Sequence, residues 1–186
     1  MRVAALVFHD VIAERTHGAA TKDGSDAVTA SEFEALLSQL RQLGYQTASS
    51  RAFRAWHQGR RTLPERAVVL TFDEGFISHF ERVMPLLLRY RFSGTFFVPA
   101  DQVGQPGRVT WSQLRKLVFL GMEIGASASC GHGLMTSSRP QLEERLAQAK
   151  QVIEERLGIS VRALAAAGGD WNSAVAEAAR QAGYDA

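Results

Sequence analysis

The run Val68-Val69-Leu70-Thr71-Phe72 constrains the fold more than any other stretch, because it is apolar or β-branched throughout without alternating. A strand with one wet face alternates apolar and polar residues, whereas an unbroken run belongs in a sheet covered on both faces, as parallel sheets are. The run ends in two adjacent carboxylates and a glycine, Asp73-Glu74-Gly75. The C-terminal ends of parallel strands are where α/β folds assemble their chemistry. Neighbouring carboxylates there can divide the labour, one holding a cation and the other taking a proton from a water polarised by that cation. A solvated loop behind a core strand has the same local signature, so the rest of the chain must decide.

The rest of the chain repeats the theme. Val3 to Phe8 is a first apolar strand with a second polar pair, His9-Asp10, at its end. Residues 13 to 28 carry glycines and charges without periodicity and form a long loop. Thr29-Ala30-Ser31-Glu32 has capping-box spacing, and Phe33, Leu36, Leu37, Leu40 and Leu43 follow at helical intervals up to Gly44. Tyr45 to Ala48 is a short strand and Arg51 to Gln58 a short helix. Behind Gly75 the pattern is helical from Phe76 to Tyr90, with Pro85 at a first turn or a kink. Thr95 to Val98 is a buried strand, and Thr110 to Gln113 is a second capping box opening a helix that stops at Gly121. The strand from Met122 leads into the polar stretch Ser127 to Gly133, and a long helix capped near Ser138 follows. Val161 to Ala166 is a strand, Gly168 to Asp170 a turn, Asn172 to Ala182 a helix, and Tyr184 the first step of another strand.

Strand and helix alternating with short connections imply parallel strands covered by helices, in an open doubly wound sheet or a barrel. No glycine-rich phosphate loop follows any strand, which disfavours a nucleotide-binding sheet and leaves the barrel as the expectation. A barrel would gather His9, Asp73, Glu74, the Ser127 to His132 stretch and the Gly168 to Asp170 turn on one face.

Composition narrows the partners. The 186 residues suffice for one domain with a substantial core, and 46% hydrophobic with 22% charged residues is ordinary for a globular protein. A net charge of +2, from 21 basic and 19 acidic residues without a basic run, argues against nucleic acid. The lone Cys130 excludes an internal disulfide and cysteine-based zinc ribbons. The apolar N-terminal stretch is too short and too early for a signal peptide or a membrane span, so the expectation is a cytoplasmic chain without a membrane partner.

Phe8-His9-Asp10-Val11, Thr71-Phe72-Asp73-Glu74-Gly75, Thr95-Phe96-Phe97-Val98, Glu123-Ile124-Gly125 and the helix ending Ala178 to Tyr184 together resemble the polysaccharide deacetylases. This is the NodB-homology group, carbohydrate esterase family 4. The resemblance covers nearly the whole chain and implies a single domain over residues 1–186, a distorted, incomplete (β/α) barrel. It further implies a divalent metal, usually zinc, held by one Asp and two His, and hydrolysis of acetyl groups from N-acetylated sugars.

The implied site carries over poorly. Asp73 matches the family's general base, but Glu74 stands where the second aspartate, a metal ligand, belongs. Its extra methylene displaces the oxygens by more than the roughly 0.2 Å tolerance of a good site. The two ligand histidines fall on Ser127 and Gly131, and His132 lies one residue late. In the groove motif Arg162 is retained while Ala167 and Gly168 replace Pro and Tyr, and the chain stops at Ala186 before the position of the family's general-acid histidine. The reading is therefore a degenerate member, a carbohydrate-binding pseudoenzyme with Asp73 as the retained catalytic residue and no zinc at the family position. The alternative is an active metal-dependent hydrolase with a rearranged site, its cation held by Glu74, His9 and His132. Trp171, Arg162 and Asp170 are the candidate sugar contacts, and the ligand is an N-acetylated sugar or polysaccharide. The unfinished sheet edge after Tyr184 also offers a surface on which a second copy could pair. His17, His57 and His79 are expected to be solvated, and Cys130 inert.

Overall fold

The computed structural model describes residues 2–14, 27–128, 137–166, 169 and 171–185. Eight strands and six α-helices follow in the order β1 (Ala4–Phe8), β2 (Val11–Ile12), β3 (Val28–Thr29), α1 (Ala30–Gln42), β4 (Gln46–Thr47), α2 (Ser50–His57), β5 (Ala67–Phe72), α3 (Met84–Tyr90), β6 (Thr95–Val98), α4 (Trp111–Phe119), β7 (Glu123–Ala128), α5 (Arg139–Leu157), β8 (Leu164–Ala166) and α6 (Ser173–Gln181). A π-helical turn, His79–Val83, leads into α3. Strands run in the order β1-β5-β6-β7-β8, with β4 also paired to β5, and every pairing is parallel. With helices on the flanks, this is a partial (β/α) barrel, as expected from the alternation.

The unbroken apolar run is the middle of it. All six residues of β5 are buried. β1 lies on one side of it; β6 and the short β4 share the other, β6 at Thr71 and Phe72 and β4 at Ala67 and Val68. The register Phe8↔Phe72↔Phe96 sets three rings in a row, stacked at 5.4 and 4.8 Å between centroids. Phe33 of α1 closes on Phe8 and Phe72 edge-on, at 5.1 and 5.8 Å. Because side chains alternate along a strand, the residues after these rings face the other side of the sheet, the interior of the partial barrel.

The helix starts are where the sequence places them. Thr29 and Thr110 each accept from the backbone N–H of the third helical residue, while Glu32 and Gln113 reach back to the cap. Pro85 sits in the first turn of α3, directly after the π turn, where the regular helical hydrogen-bond ladder is already interrupted. Three features depart from expectation. The helix predicted from Phe76 is interrupted by the π turn, Ser127 lies inside β7 rather than beyond it, and a two-stranded parallel pair, β2 with β3, joins the end of β1 to the start of α1. The loop expected over residues 13 to 28 falls largely outside the described residues. Beyond α6, the backbone N–H of Asp185 donates to Arg162 O at 2.8 Å, and no strand is formed after Tyr184 among the described residues.

Gly125 of β7 is a close-approach glycine. A Cβ there would lie 2.6 Å from the Phe97 ring and 3.1 Å from Ala163 O. Gly125→Ala is expected to destabilise the protein by about 1–3 kcal/mol, read from the midpoint of urea unfolding with an unchanged slope.

Candidate functional site

Asp73 and His9 leave neighbouring strands at the same level. The Asp73 N–H donates to Phe8 O at 2.9 Å, which continues the β1–β5 pairing one residue past the strands. Asp73 is partly buried, and its Oδ1 is inaccessible with no hydrogen-bond partner among the described residues. Burial is the main influence on its carboxyl and raises the pKa above the ordinary range, helped by the like charge of Glu74 and opposed by the nearby His9. An acceptor lone pair without a donor, on a carboxylate made more basic by desolvation, suits proton abstraction from a water or hydroxyl.

Glu74 is held differently. Its backbone is left-handed, φ 72°, immediately before Gly75 at φ 62°. That conformation costs a non-glycine residue about 1 kcal/mol. The loop before α4 holds it there. Val109 N–H donates to Gly75 O at 3.0 Å, Ile77 N–H to Gly107 O at 2.9 Å, and Arg108 Nη1 to Glu74 O at 2.5 Å. Arg108 also lies 3.7 Å from the Glu74 carboxylate and 4.3 Å from the centre of the Phe76 ring. The carboxylate expected to bind a cation thus already faces a guanidinium.

His9 and Asp10 are gripped from the π turn. His79 Nε2 donates to His9 O at 2.6 Å, Ser78 Oγ to Asp10 Oδ1 at 2.6 Å, and Arg82 Nη1 to Val11 O at 3.3 Å. His79 was expected to be solvated; it is completely buried, packed against Phe72, Phe76 and Phe96 at centroid distances of 5.7, 5.9 and 5.8 Å. Burial pulls its pKa down to about 4, so the ring is neutral and carries its proton on Nε2, leaving Nδ1 as a buried acceptor without a partner among the described residues. The apolar residues on both sides of it, Ile77 and Phe80, were the available signal. Arg108 gave no local signal, because its partner lies 34 residues earlier in the chain.

The other candidates divide by position. Ser127, where the family resemblance places a ligand histidine, is 4% exposed within β7. Trp171 follows β8, at the same end of the sheet as Asp73, and is 43% exposed. Arg162 precedes β8 and stands at the opposite end, so the fold does not bring it to Asp73. Cys130, His132 and Asp170 lie outside the described residues. Among the described residues no three His, Cys, Asp or Glu side chains are grouped so that they could hold a metal ion. With Glu74 facing Arg108 and a hydroxyl at Ser127, the described donors do not fit the family's zinc.

A family model, Polysaccharide deacetylase, matches residues 60–186, more than half of the chain. This chain belongs to the polysaccharide deacetylase family. A putative polysaccharide deacetylase of Bacillus subtilis is 24% identical over 154 residues, covering 82% of this chain and 55% of its own length. A poly-β-1,6-N-acetyl-D-glucosamine N-deacetylase of Escherichia coli is 36% identical over 93 residues, 42% of this chain and 14% of the enzyme. The chain therefore spans about half, or much less, of these relatives. Among solved structures, a Streptococcus pyogenes deacetylase in complex with acetate superimposes with a TM-score of 0.91 at 19% identity, covering 99% of this chain and 81% of that one. At that identity the likeness establishes the fold. Among the described residues no helix is long and apolar enough to cross a membrane.

The buried His79 gives the protein an acid-sensitive element. Its folded pKa, about 4, lies below the ordinary 6.5, so between these values the unfolded chain binds the proton more tightly and stability rises with pH. The contribution is complete above about pH 6.5 and is lost as the pH falls towards 4, a change on the order of 3 kcal/mol. His79→Gln keeps a donor within reach of His9 O but cannot titrate. Urea unfolding followed from pH 7 to pH 4 is expected to show a steep loss in the parent protein and a shallower one in the variant.

Proposed function

We propose that this chain is a deacetylase-fold domain that binds an N-acetylated sugar and has lost most or all deacetylase activity. The observation that carries this reading is the commitment of Glu74 to Arg108 at 3.7 Å, with a buried hydroxyl, Ser127, at a position of the family's metal triad. A site that loses its donors loses a share of a binding free energy of roughly 10 kcal/mol or more. Without a bound cation, Asp73 retains its basicity but has neither an activated water nor a polarised carbonyl to work with.

What remains is suited to recognition. Trp171 at the strand-end face can stack on a pyranose ring, with Asp170 beside it in sequence as a hydrogen-bond acceptor for sugar hydroxyls. The Escherichia coli relative is named for poly-β-1,6-N-acetyl-D-glucosamine, which makes β-1,6-linked N-acetylglucosamine oligomers the first ligands to try. Arg162 stands apart from this face.

A second reading, an active hydrolase with a rearranged metal site of His9, Glu74 and His132, is favoured by one feature. The buried, unpartnered Oδ1 of Asp73 beside His9 is the arrangement expected of a working general base.

Zinc stoichiometry separates the two. Equilibrated with excess Zn²⁺ and desalted, the protein is expected to hold well under one equivalent by plasma mass spectrometry and to release no acetate from N-acetylglucosamine oligomers. The triple variant Glu74→Asp, Ser127→His, Gly131→His, which rebuilds the implied ligand set, is expected to retain about one equivalent. Near-stoichiometric zinc in the unaltered chain, abolished by Asp73→Ala with Glu74→Ala and accompanied by acetate release, would establish the hydrolase instead.

A further inference from the structure

At the end of the sheet where the strands begin, away from Asp73, four arginines converge. Arg51 and Arg54 come from α2, Arg60 from the turn after it, and Arg162 from the segment before β8. Together with Ala55 and Asp185 they line a cavity of about 230 Å³. Among the described residues Asp185 is the one carboxylate in that lining, 3.1 Å from Arg54 Nη1 and 3.6 Å from Arg162 Nη1. The inaccessible Nη1 of Arg54 is ion-paired with Asp185 but has no hydrogen-bond acceptor among the described residues. A buried guanidinium donor left unsatisfied is costly and is normally matched by an anion. The Arg54 pKa is lowered, first by partial burial and then by repulsion from Arg60 and Arg162, as expected where positive charge exceeds its compensation.

A larger cavity of about 570 Å³ adjoins it and shares Arg51, Arg54, Arg162 and Asp185 in its lining. Its further wall is formed by Phe53, Phe97 and His57. Glu123 also borders it, but that carboxylate is occupied, accepting from the Thr95 hydroxyl at 3.1 Å and from Arg51 N–H at 3.3 Å. The lining is therefore cationic and forked at one end and apolar at the other.

We propose that this paired cavity is a binding site for a phosphate-like oxyanion, held by Arg54 and Arg162 with Arg51 and Arg60 at the rim. Guanidinium forks match tetrahedral oxyanions through paired N–H donors. The smaller cavity receives the anion, and the Phe53–Phe97 wall gives a place for whatever organic group is attached to it. Nothing in this site depends on whether the Asp73 end of the sheet is catalytic.

Isothermal titration calorimetry on the whole chain at low ionic strength tests it, with inorganic phosphate and glucose 6-phosphate as probes. Saturable one-site binding is expected, weakened by about tenfold or more in Arg54→Gln and in Arg162→Gln. Arg139→Gln, which removes the same charge from the exposed start of α5, is expected to bind as the parent does. Tighter binding of glucose 6-phosphate than of phosphate identifies a phosphorylated small molecule as the occupant; equal binding identifies the free anion. Absence of saturable binding, or equal weakening in all three variants, overturns the proposal. Arg162 is largely exposed, so its variant keeps the test valid if Arg54→Gln proves misfolded by circular dichroism.

Discussion

The stacked row of Phe8, Phe72 and Phe96 is the contact on which the candidate site depends. Three adjacent strands present a ring at one register, and Phe33 and His79 close on the row from outside the sheet. The residues that follow two of these rings, His9 and Asp73, therefore emerge at one level and on one face. A one-residue slip of β1 against β5 would turn the whole strand over and separate the pair. The packing of the core and the juxtaposition of the two polar side chains are one constraint.

Two devices then fix the polar end. Ser78, at the cap of the π turn, binds the Asp10 side chain, and His79 and Arg82 within the turn bind the backbone carbonyls of His9 and Val11, so the end of β1 has little freedom. A π turn inserts an extra residue into the helix, which changes the direction in which successive side chains leave it. On the other flank, the loop before α4 pairs with residues 74 to 77 and supplies Arg108. That interaction supports a left-handed glutamate and at the same time places a cation against the carboxylate that the family would use to bind one. The partial barrel of the deacetylase fold is thus present, and at the end of its central strand Glu74 faces Arg108.

Much of this was legible in the chain. The continuous apolar run located the central strand, two capping boxes and the proline located helix starts, and Asp73-Glu74-Gly75 marked the strand end on which the candidate site is built. These signals are local: each rests on residues within a turn or on a period of two or 3.6. His79 was misread as a solvated residue because its apolar neighbours Ile77 and Phe80 are only a weak signal and do not show that Phe72 and Phe96, from β5 and β6, close over the ring. Arg162 was grouped with the site because a sequence motif does not say at which end of its strand a residue will stand. The Arg108 contact, joining residues 34 apart, had no periodicity to reveal it.

The sequence by itself determined the class of fold, the central strand and the helix starts, since hydrophobic pattern and cap chemistry act over a few residues. Tertiary structure decided the rest. Burial made His79 a neutral donor to the end of β1, a loop from beyond β6 turned Glu74 towards Arg108, and packing of α2 beneath the sheet gathered four arginines around Asp185. Each of these depends on desolvation and on the approach of charges distant in sequence, quantities that exist only once the chain is packed.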